Sequence, residues 1–244
     1  YTDYILATLI DELKQFGVSS QVSIGSFVSH RKLATSSELL KEYGSIRTAA
    51  NLVGGRQTQI AGTIGGNICN ASPAADLAAP LLVHDTVVTL QSRDRGSREI
   101  ELSDFFLGRR ETARDPDELL TKIKLEKVPP RSSDVYIKVG RRSAMEIAIV
   151  GLAVRLGLEQ DSQTISNVRI ATCSVGPIPK RAIKTEGLLE GESLTPELIR
   201  AAGEALIEES SPIDDIRGSE WYRRTVLPRV LEQALKQCHS QIQQ

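Results

Sequence analysis

Cysteine is scarce, with only Cys69, Cys173 and Cys238, odd in number and far apart, which argues against a disulfide framework and fits a reducing compartment. No C-x-x-C pair exists, so the chain is not expected to hold zinc or an iron–sulfur cluster itself. His30, His84 and His239 are as scattered, with no partner at ligand spacing; none is assigned to chemistry and no metal site is expected. No apolar run approaches the roughly 20 residues of a bilayer span, because Asp76 and Pro80 interrupt one candidate and Arg155 the other. The chain is therefore expected to be soluble. Neither charge is in excess: 30 basic residues face 31 acidic ones for a net charge of −1, so no global field recommends nucleic acid as a partner. Arg141-Arg142, Lys180-Arg181 and Arg223-Arg224 read as solvated faces. Repeats and low-complexity tracts are absent. Methionine occurs once, at Met145, and the chain begins at Tyr1, so the start is expected to be trimmed.

What is present is a cradle. Ile60-Ala-Gly-Thr-Ile-Gly-Gly-Asn-Ile-Cys-Asn-Ala-Ser-Pro-Ala-Ala-Asp76 places small residues, backbone donors and one carboxylate together. Gly62, Gly65 and Gly66 lack Cβ atoms, so this backbone can take φ > 0 and approach a ligand closely. Successive N–H groups in such a turn form an anion-binding concavity. Thr63 and Asn67 add a hydroxyl and a carboxamide for phosphate or ribose oxygens, while Asp76, an acceptor only, suits a hydroxyl or ring N–H. The spacing is neither the G-x-G-x-x-G dinucleotide fingerprint nor a P-loop. By composition alone a tight structural turn fits the segment equally well. Cys69, inside the cradle, reads as a small buried hydrophobe rather than a redox thiol.

At 244 residues and 40% hydrophobic content, the chain can bury one large core or two modest ones. Apolar residues from Tyr4 to Phe16 recur with helical period up to Gly17. Further helices are expected from Ser36 or Ser37 to Tyr43 and from Ile46 to Val53. Thr86 to Gln91 and Glu99 to Leu102 read as a hairpin, and Leu119 to Leu125 as a strand. Pro129-Pro-Arg-Ser-Ser133 marks a boundary between domains at 1–130 and 131–244. Beyond it, Val135 to Val139, Ile147 to Leu158 and Val168 to Val175 predict a three-stranded antiparallel sheet. Three helices follow, over Lys180 to Leu189, Thr195 to Glu208 and Ser219 to Lys236, with Pro228 kinking the last.

The cradle, preceded by Ala49-Ala-Asn-Leu-Val-Gly-Gly-Arg-Gln-Thr-Gln59, closely resembles the second flavin-binding motif of the FAD subunit of molybdenum-containing hydroxylases. That family includes the medium subunit of carbon monoxide dehydrogenase and the flavin domain of xanthine dehydrogenase. The resemblance runs on in the family's order through Asp104-Phe-Phe-Leu-Gly108, Asp117-Glu-Leu-Leu120, Ile137-Lys-Val-Gly-Arg-Arg142, Ile147-Ala148 and Val175-Gly-Pro-Ile-Pro179. It ends at Pro212-Ile-Asp-Asp-Ile-Arg-Gly-Ser-Glu-Trp-Tyr-Arg-Arg224. It implies an α+β fold, a PCMH-type FAD-binding domain followed by a smaller domain of a three-stranded antiparallel sheet with three helices.

The same resemblance implies FAD as cofactor and an oxidoreductase subunit that passes electrons from a partner's [2Fe–2S] clusters to an external acceptor. Its partners would be a [2Fe–2S] small subunit and a molybdopterin large subunit, in a cytoplasmic dimer of heterotrimers. By carry-over, Thr63, Ile64, Gly65, Gly66 and Asn67 match the pyrophosphate and ribityl loop, and Asp76 the acidic residue beyond it. Leu120 falls at the adenine side, where a core leucine is the alternative, and Lys138 at a cofactor contact, where a solvated lysine is the alternative. Ile147 would approach the isoalloxazine ring or lie in a core strand. No side chain is assigned as a catalytic acid or base. Two other readings stay open: a self-contained FAD oxidoreductase of the same broader fold, and a flavin-free bridging subunit. Family members also begin with an Ala-Gly-Gly-Thr-Asp loop that residues 1–21 do not match. The chain is then expected to be a fragment, or to have lost half its pyrophosphate grip and bind flavin weakly.

Overall fold

The computed structural model describes residues 9–18, 22–39, 42–142, 145–161 and 163–243. Five strands make an antiparallel sheet in the order β1 (Phe16–Val18), β2 (Val22–Gly25), β7 (Glu118–Leu125), β3 (Val87–Ser92), β4 (Gly96–Glu101). The expected hairpin forms as β3–β4, with Val88 opposite Ile100, and a short α6 (Leu102–Phe105) and a two-stranded ribbon of β5 (Phe106–Gly108) and β6 (Glu111–Thr112) lead from it to β7. Gly96, at φ +76°, supplies the left-handed turn residue that a side chain would strain. In β7 the register against β3 slips between Lys122 and Leu120. This bulge turns both Leu120 and Ile123 inward although they are three apart, which strict alternation forbids.

Between β2 and β3 the described residues form five short helices: α1 (His30–Thr35), α2 (Gly44–Leu52), α3 (Arg56–Ala61), α4 (Ile64–Cys69) and α5 (Ala78–Val83). Two sequence expectations fail here. The described part of the helix over 4–16 is a single 3-10 turn, Asp11–Lys14, followed by β1; residues 1–8 lie outside the description. The sheet edge wins because Gln15 and Leu13 carbonyls accept Gly25 N–H at 2.7 Å and Phe27 N–H at 2.8 Å, partners a helix there would forfeit. The helix expected to start at Ser36 instead ends there. Ser29 caps it first, its hydroxyl accepting from Lys32 N–H at 3.2 Å. Residues 40 and 41 are not described. The α2 helix matches the third expected segment within the usual end fraying.

The second sheet has the order β11 (Lys180–Arg181), β10 (Ile165–Cys173), β9 (Val150–Leu158), β8 (Ser132–Val139), also antiparallel. The three expected strands form. Lys180 and Arg181 add a short fourth where a helix was expected, and that helix begins instead as α7 (Ile183–Leu189). α8 (Pro196–Glu209) and α9 (Glu220–Ile242) follow, capped by the Thr195 and Ser219 hydroxyls at 3.2 and 3.1 Å. Pro228 lies inside α9, where a Cβ added to Gly203 would come 2.9 Å from its ring. That glycine lets α8 and α9 close on each other.

Every residue of β9 is buried, so this sheet is covered on both faces. Val150, Leu152, Val154 and Leu156 face α8 and α9 in one aliphatic core, with Val135, Val168 and Ile170. The opposite face carries small or polar residues: Asp134, Tyr136 and Lys138 on β8, Gly151, Ala153 and Arg155 on β9, Arg169, Ala171 and Cys173 on β10. It packs on α2 and α5, and Tyr136, Ala153 and Ala171 belong to the core of the five-stranded part. Polar ties cross this seam. Asp134 accepts from the Gly44 and Ser45 N–H groups at 3.0 and 2.9 Å, from the Ser45 hydroxyl and from His84 at 2.9 Å. Asp85 binds Arg155, Arg169 and Arg181 at 2.8, 3.2 and 2.7 Å.

Candidate functional site

The cradle is built on α4 and the segment beneath it. Thr63 caps α4, its hydroxyl accepting from Gly66 N–H at 3.0 Å. The N–H groups of Ile64 and Gly65 donate to Val28 and Ser26 carbonyls at 3.0 and 2.8 Å, and His30 N–H donates to the Gly62 carbonyl at 3.1 Å. A Cβ on Gly65 would stand 2.7 Å from the Ser26 carbonyl, and one on Gly62 2.9 Å from the His30 ring. Gly66 differs: it is exposed, and its missing Cβ would meet only the Thr63 hydroxyl, at 3.1 Å.

This corrects the expectation on two points. None of Gly62, Gly65 and Gly66 has positive φ; two of them are glycine because protein atoms press on them. The N–H groups of Ile64, Gly65 and Gly66 do not form an open anion concavity either, since each already has an acceptor within the protein. Polar side chains remain for a ligand. Ser26 Oγ, His30 Nδ1 and Asn67 Oδ1 are buried without a hydrogen-bond partner among the described residues. Buried polar atoms are mostly satisfied, so these three atoms gathered at one loop leave hydrogen-bonding capacity there that a bound group could use. The Ser26 and Thr63 hydroxyls can donate to phosphate or ribityl oxygens, while Asn67 Oδ1, an acceptor, suits a ribityl hydroxyl and His30 Nδ1 donates or accepts by tautomer. The donor set fits FAD. Burial lowers the His30 pKa to about 4, so its ring is neutral near pH 7.

Asp76 and Lys138, far apart in sequence, meet. Lys138 Nζ donates to Asp76 Oδ2 at 2.8 Å and to the Leu52 carbonyl at 3.0 Å, and the Tyr136 hydroxyl donates to Asp76 Oδ1 at 2.8 Å. The carboxyl is buried, and burial pushes its pKa up against the Lys138 ammonium and the Tyr136 hydroxyl, which hold it down. Lys138 is buried in its side chain, which removes the solvated-lysine alternative.

Leu120 stands apart, a core leucine beside Leu90 in the β3–β7 ladder. Ile147 is 57% exposed and precedes β9, so it is not a core strand residue. Near it, Met145 at φ +55° lies against Gly55. Cys69 is half-buried, and burial raises its thiol pKa. Sequence reasoning missed Tyr136, Ser26 and His30. Tyr136 was within reach, since strand alternation puts it on the same face as Lys138. Nothing local to Ser26 or His30 signalled their place under the loop.

Residues 1–127 match the family model of the FAD binding domain in molybdopterin dehydrogenase, and residues 135–238 that of the CO dehydrogenase flavoprotein C-terminal domain. The chain is 31% identical over 238 residues to the glyceraldehyde dehydrogenase medium chain of Sulfolobus acidocaldarius, covering 96% of this chain and 83% of that one. It is 35% identical over 191 residues to xanthine dehydrogenase of Blastobotrys adeninivorans, covering 76% of this chain but 14% of that longer protein. Among solved structures, carbon monoxide dehydrogenase from Hydrogenophaga pseudoflava superposes with a TM-score of 0.90 at 27% identity, over 95% of this chain and 80% of that one. The fold and the family match define an FAD-binding flavoprotein. The chain belongs to the FAD-binding family of the molybdopterin dehydrogenases, whose members are oxidoreductase subunits.

Proposed function

We propose that this chain is the electron-transfer subunit of a molybdenum hydroxylase, through whose FAD electrons from a partner's [2Fe–2S] clusters reach an external acceptor. The observation that carries the site assignment is the trio of unpartnered buried atoms, Ser26 Oγ, His30 Nδ1 and Asn67 Oδ1, around the 62–67 loop. In this reading Thr63 and Asn67 bind phosphate and ribityl oxygens, Ile64 and Gly65 hold the loop against the turn that follows β2, and exposed Gly66 leaves the approach clear. Asp76 accepts a hydroxyl or ring N–H, and Lys138 balances its charge. Leu120 contributes as packing behind the adenine side. Residues 1–130 form the FAD-binding domain and 131–244 the C-terminal domain, which supplies Lys138 to the site. One- and two-electron transfer is the chemistry FAD supplies when bound, so no side chain of this chain need act as acid or base.

Partners follow from ligand arithmetic. A [2Fe–2S] cluster takes four protein ligands, usually cysteines, and this chain has three cysteines in all, two of them buried and all unpaired. That count argues for clusters held by another chain, and the family resemblance supports a [2Fe–2S] small subunit and a molybdopterin large subunit, in a cytoplasmic dimer of heterotrimers, as the partners. The Sulfolobus relative is itself named a medium chain. Among the described residues no helix is long and apolar enough to cross a membrane.

Affinity capture from the native source with spectroscopy of the recovered material tests this. Flavin absorbance together with both partner subunits is the expected result. A monomer active with its own reductive substrate would establish a self-contained oxidoreductase instead, and a complex in which this chain carries no flavin would establish a bridging role.

A further inference from the structure

We propose that Tyr136 is a positioning residue of the flavin site, fixing the Asp76 carboxylate in a clamp with Lys138; this rests on the FAD reading of the loop. Tyr136 and Lys138 are i and i+2 on β8 and leave the strand on one face, so each takes one oxygen of Asp76, both at 2.8 Å. Lys138 also reaches the Leu52 carbonyl, which pins its ammonium from the opposite side. The carboxylate can then neither rotate nor withdraw, and its remaining lone pairs keep a fixed direction.

The surroundings are shaped to keep that hydroxyl in place. Tyr136 is 5% exposed. On the neighbouring strand position 151 is glycine, where a Cβ would come 2.7 Å from the Tyr136 hydroxyl and would also collide with Cys173 Sγ. Cys173 Sγ, 3.8 Å from the hydroxyl, fills the remaining side. Burial pushes the Cys173 thiol up to about 12 and the Tyr136 phenol well above its ordinary value, so neither becomes an anion that would compete with Asp76 for the proton donors. The titratable or charged groups facing Asp76 are thus Lys138 and Tyr136 from β8 and Cys173 from β10. A tyrosine with a fully engaged hydroxyl, a glycine opposite it and a protonated thiol beside it make one device, and its output is the direction and charge of Asp76.

Tyr136→Phe keeps the ring and removes only the donor. FAD affinity of the purified folded variant should fall, by up to about tenfold, because the lost hydrogen bond lies within the protein and only its orienting effect on Asp76 reaches the cofactor. The acid limb of its affinity-versus-pH curve should move to higher pH, because the hydroxyl lowers the carboxyl pKa; a purely structural tyrosine would leave that limb in place. Asp76→Asn is the second arm. It should lower affinity at least as much and abolish the limb, and Tyr136→Phe added to it should cost nothing further. Unchanged affinity and limb in Tyr136→Phe, or full affinity in Asp76→Asn, overturns the proposal even if Tyr136→Phe does not fold. Absence of flavin binding by the unaltered chain overturns instead the FAD reading on which it rests.

Discussion

Arg155, 2% exposed in the middle of β9, places its guanidinium 2.8 Å from Asp85 at the end of α5, so a fully buried cation of one sheet is neutralised by the other half of the molecule. Arg169 and Arg181 share the same carboxylate. Arg155 Nε and Nη1 find no partner among the described residues, so the pair does more to fix how the two halves sit than to add net stability. Removing Asp85 leaves a buried arginine uncompensated. Asp85→Ala should lower unfolding free energy by about 3–5 kcal/mol, read from denaturant midpoints. A loss under about 1 kcal/mol, typical of an exposed pair, would show that water reaches the seam.

Gly65 and Gly66 should respond oppositely to substitution. A Cβ on Gly65 meets the Ser26 carbonyl at 2.7 Å, so Gly65→Ala should cost about 1–3 kcal/mol of stability through overpacking. Gly66→Val puts its branches on the exposed side and should remove flavin while leaving the melting profile close to unaltered. Flavin absorbance per folded chain and thermal denaturation, measured on both variants, separate the two. Full flavin retention by folded Gly66→Val would place the cofactor elsewhere.

His30 predicts an acid dependence of stability. Its folded pKa of about 4 lies below its ordinary value of 6.5, so the unfolded chain binds the proton more readily. Stability from this group is therefore complete above about pH 6.5 and declines as pH falls toward 4, by on the order of 2 kcal/mol at pH 5. Comparing unfolding at pH 7 and pH 5 in the unaltered chain and in His30→Gln isolates the contribution. An identical pH slope in both would mean the ring is hydrated.

Asp134 should prove to be the pin of α2. It takes both the Gly44 and Ser45 N–H groups and also holds buried His84. Asp134→Ala leaves these donors unsatisfied and should cost about 2–4 kcal/mol. Hydrogen exchange should show faster opening of α2 before any change in β9. Global loss of protection without that order would mean that α2 and the second sheet open as one unit.

Residue order alone carried much of this molecule. Runs of β-forming residues gave away the β3–β4 hairpin and the β8, β9 and β10 strands, and the helical segments beyond them announced α8 and α9, because such runs are local properties. The motif from Ile60 to Asp76 carried the family resemblance that named FAD. Tertiary structure decided the rest. The apolar period over 4–16 promised a helix, yet in its described part pairing with β2 offered backbone partners that a lone helix lacks, so an edge strand formed. Gly65 is glycine because Ser26, 39 positions earlier, presses on it, a fact no local pattern holds. Asp76 and Lys138 lie 62 positions apart, and only the packing of the second sheet's small polar face onto α2 and α5 makes them one ion pair. Sequence sets which chemistry is available at each position; burial sets which of those groups must find each other, since a charge removed from water cannot be left alone.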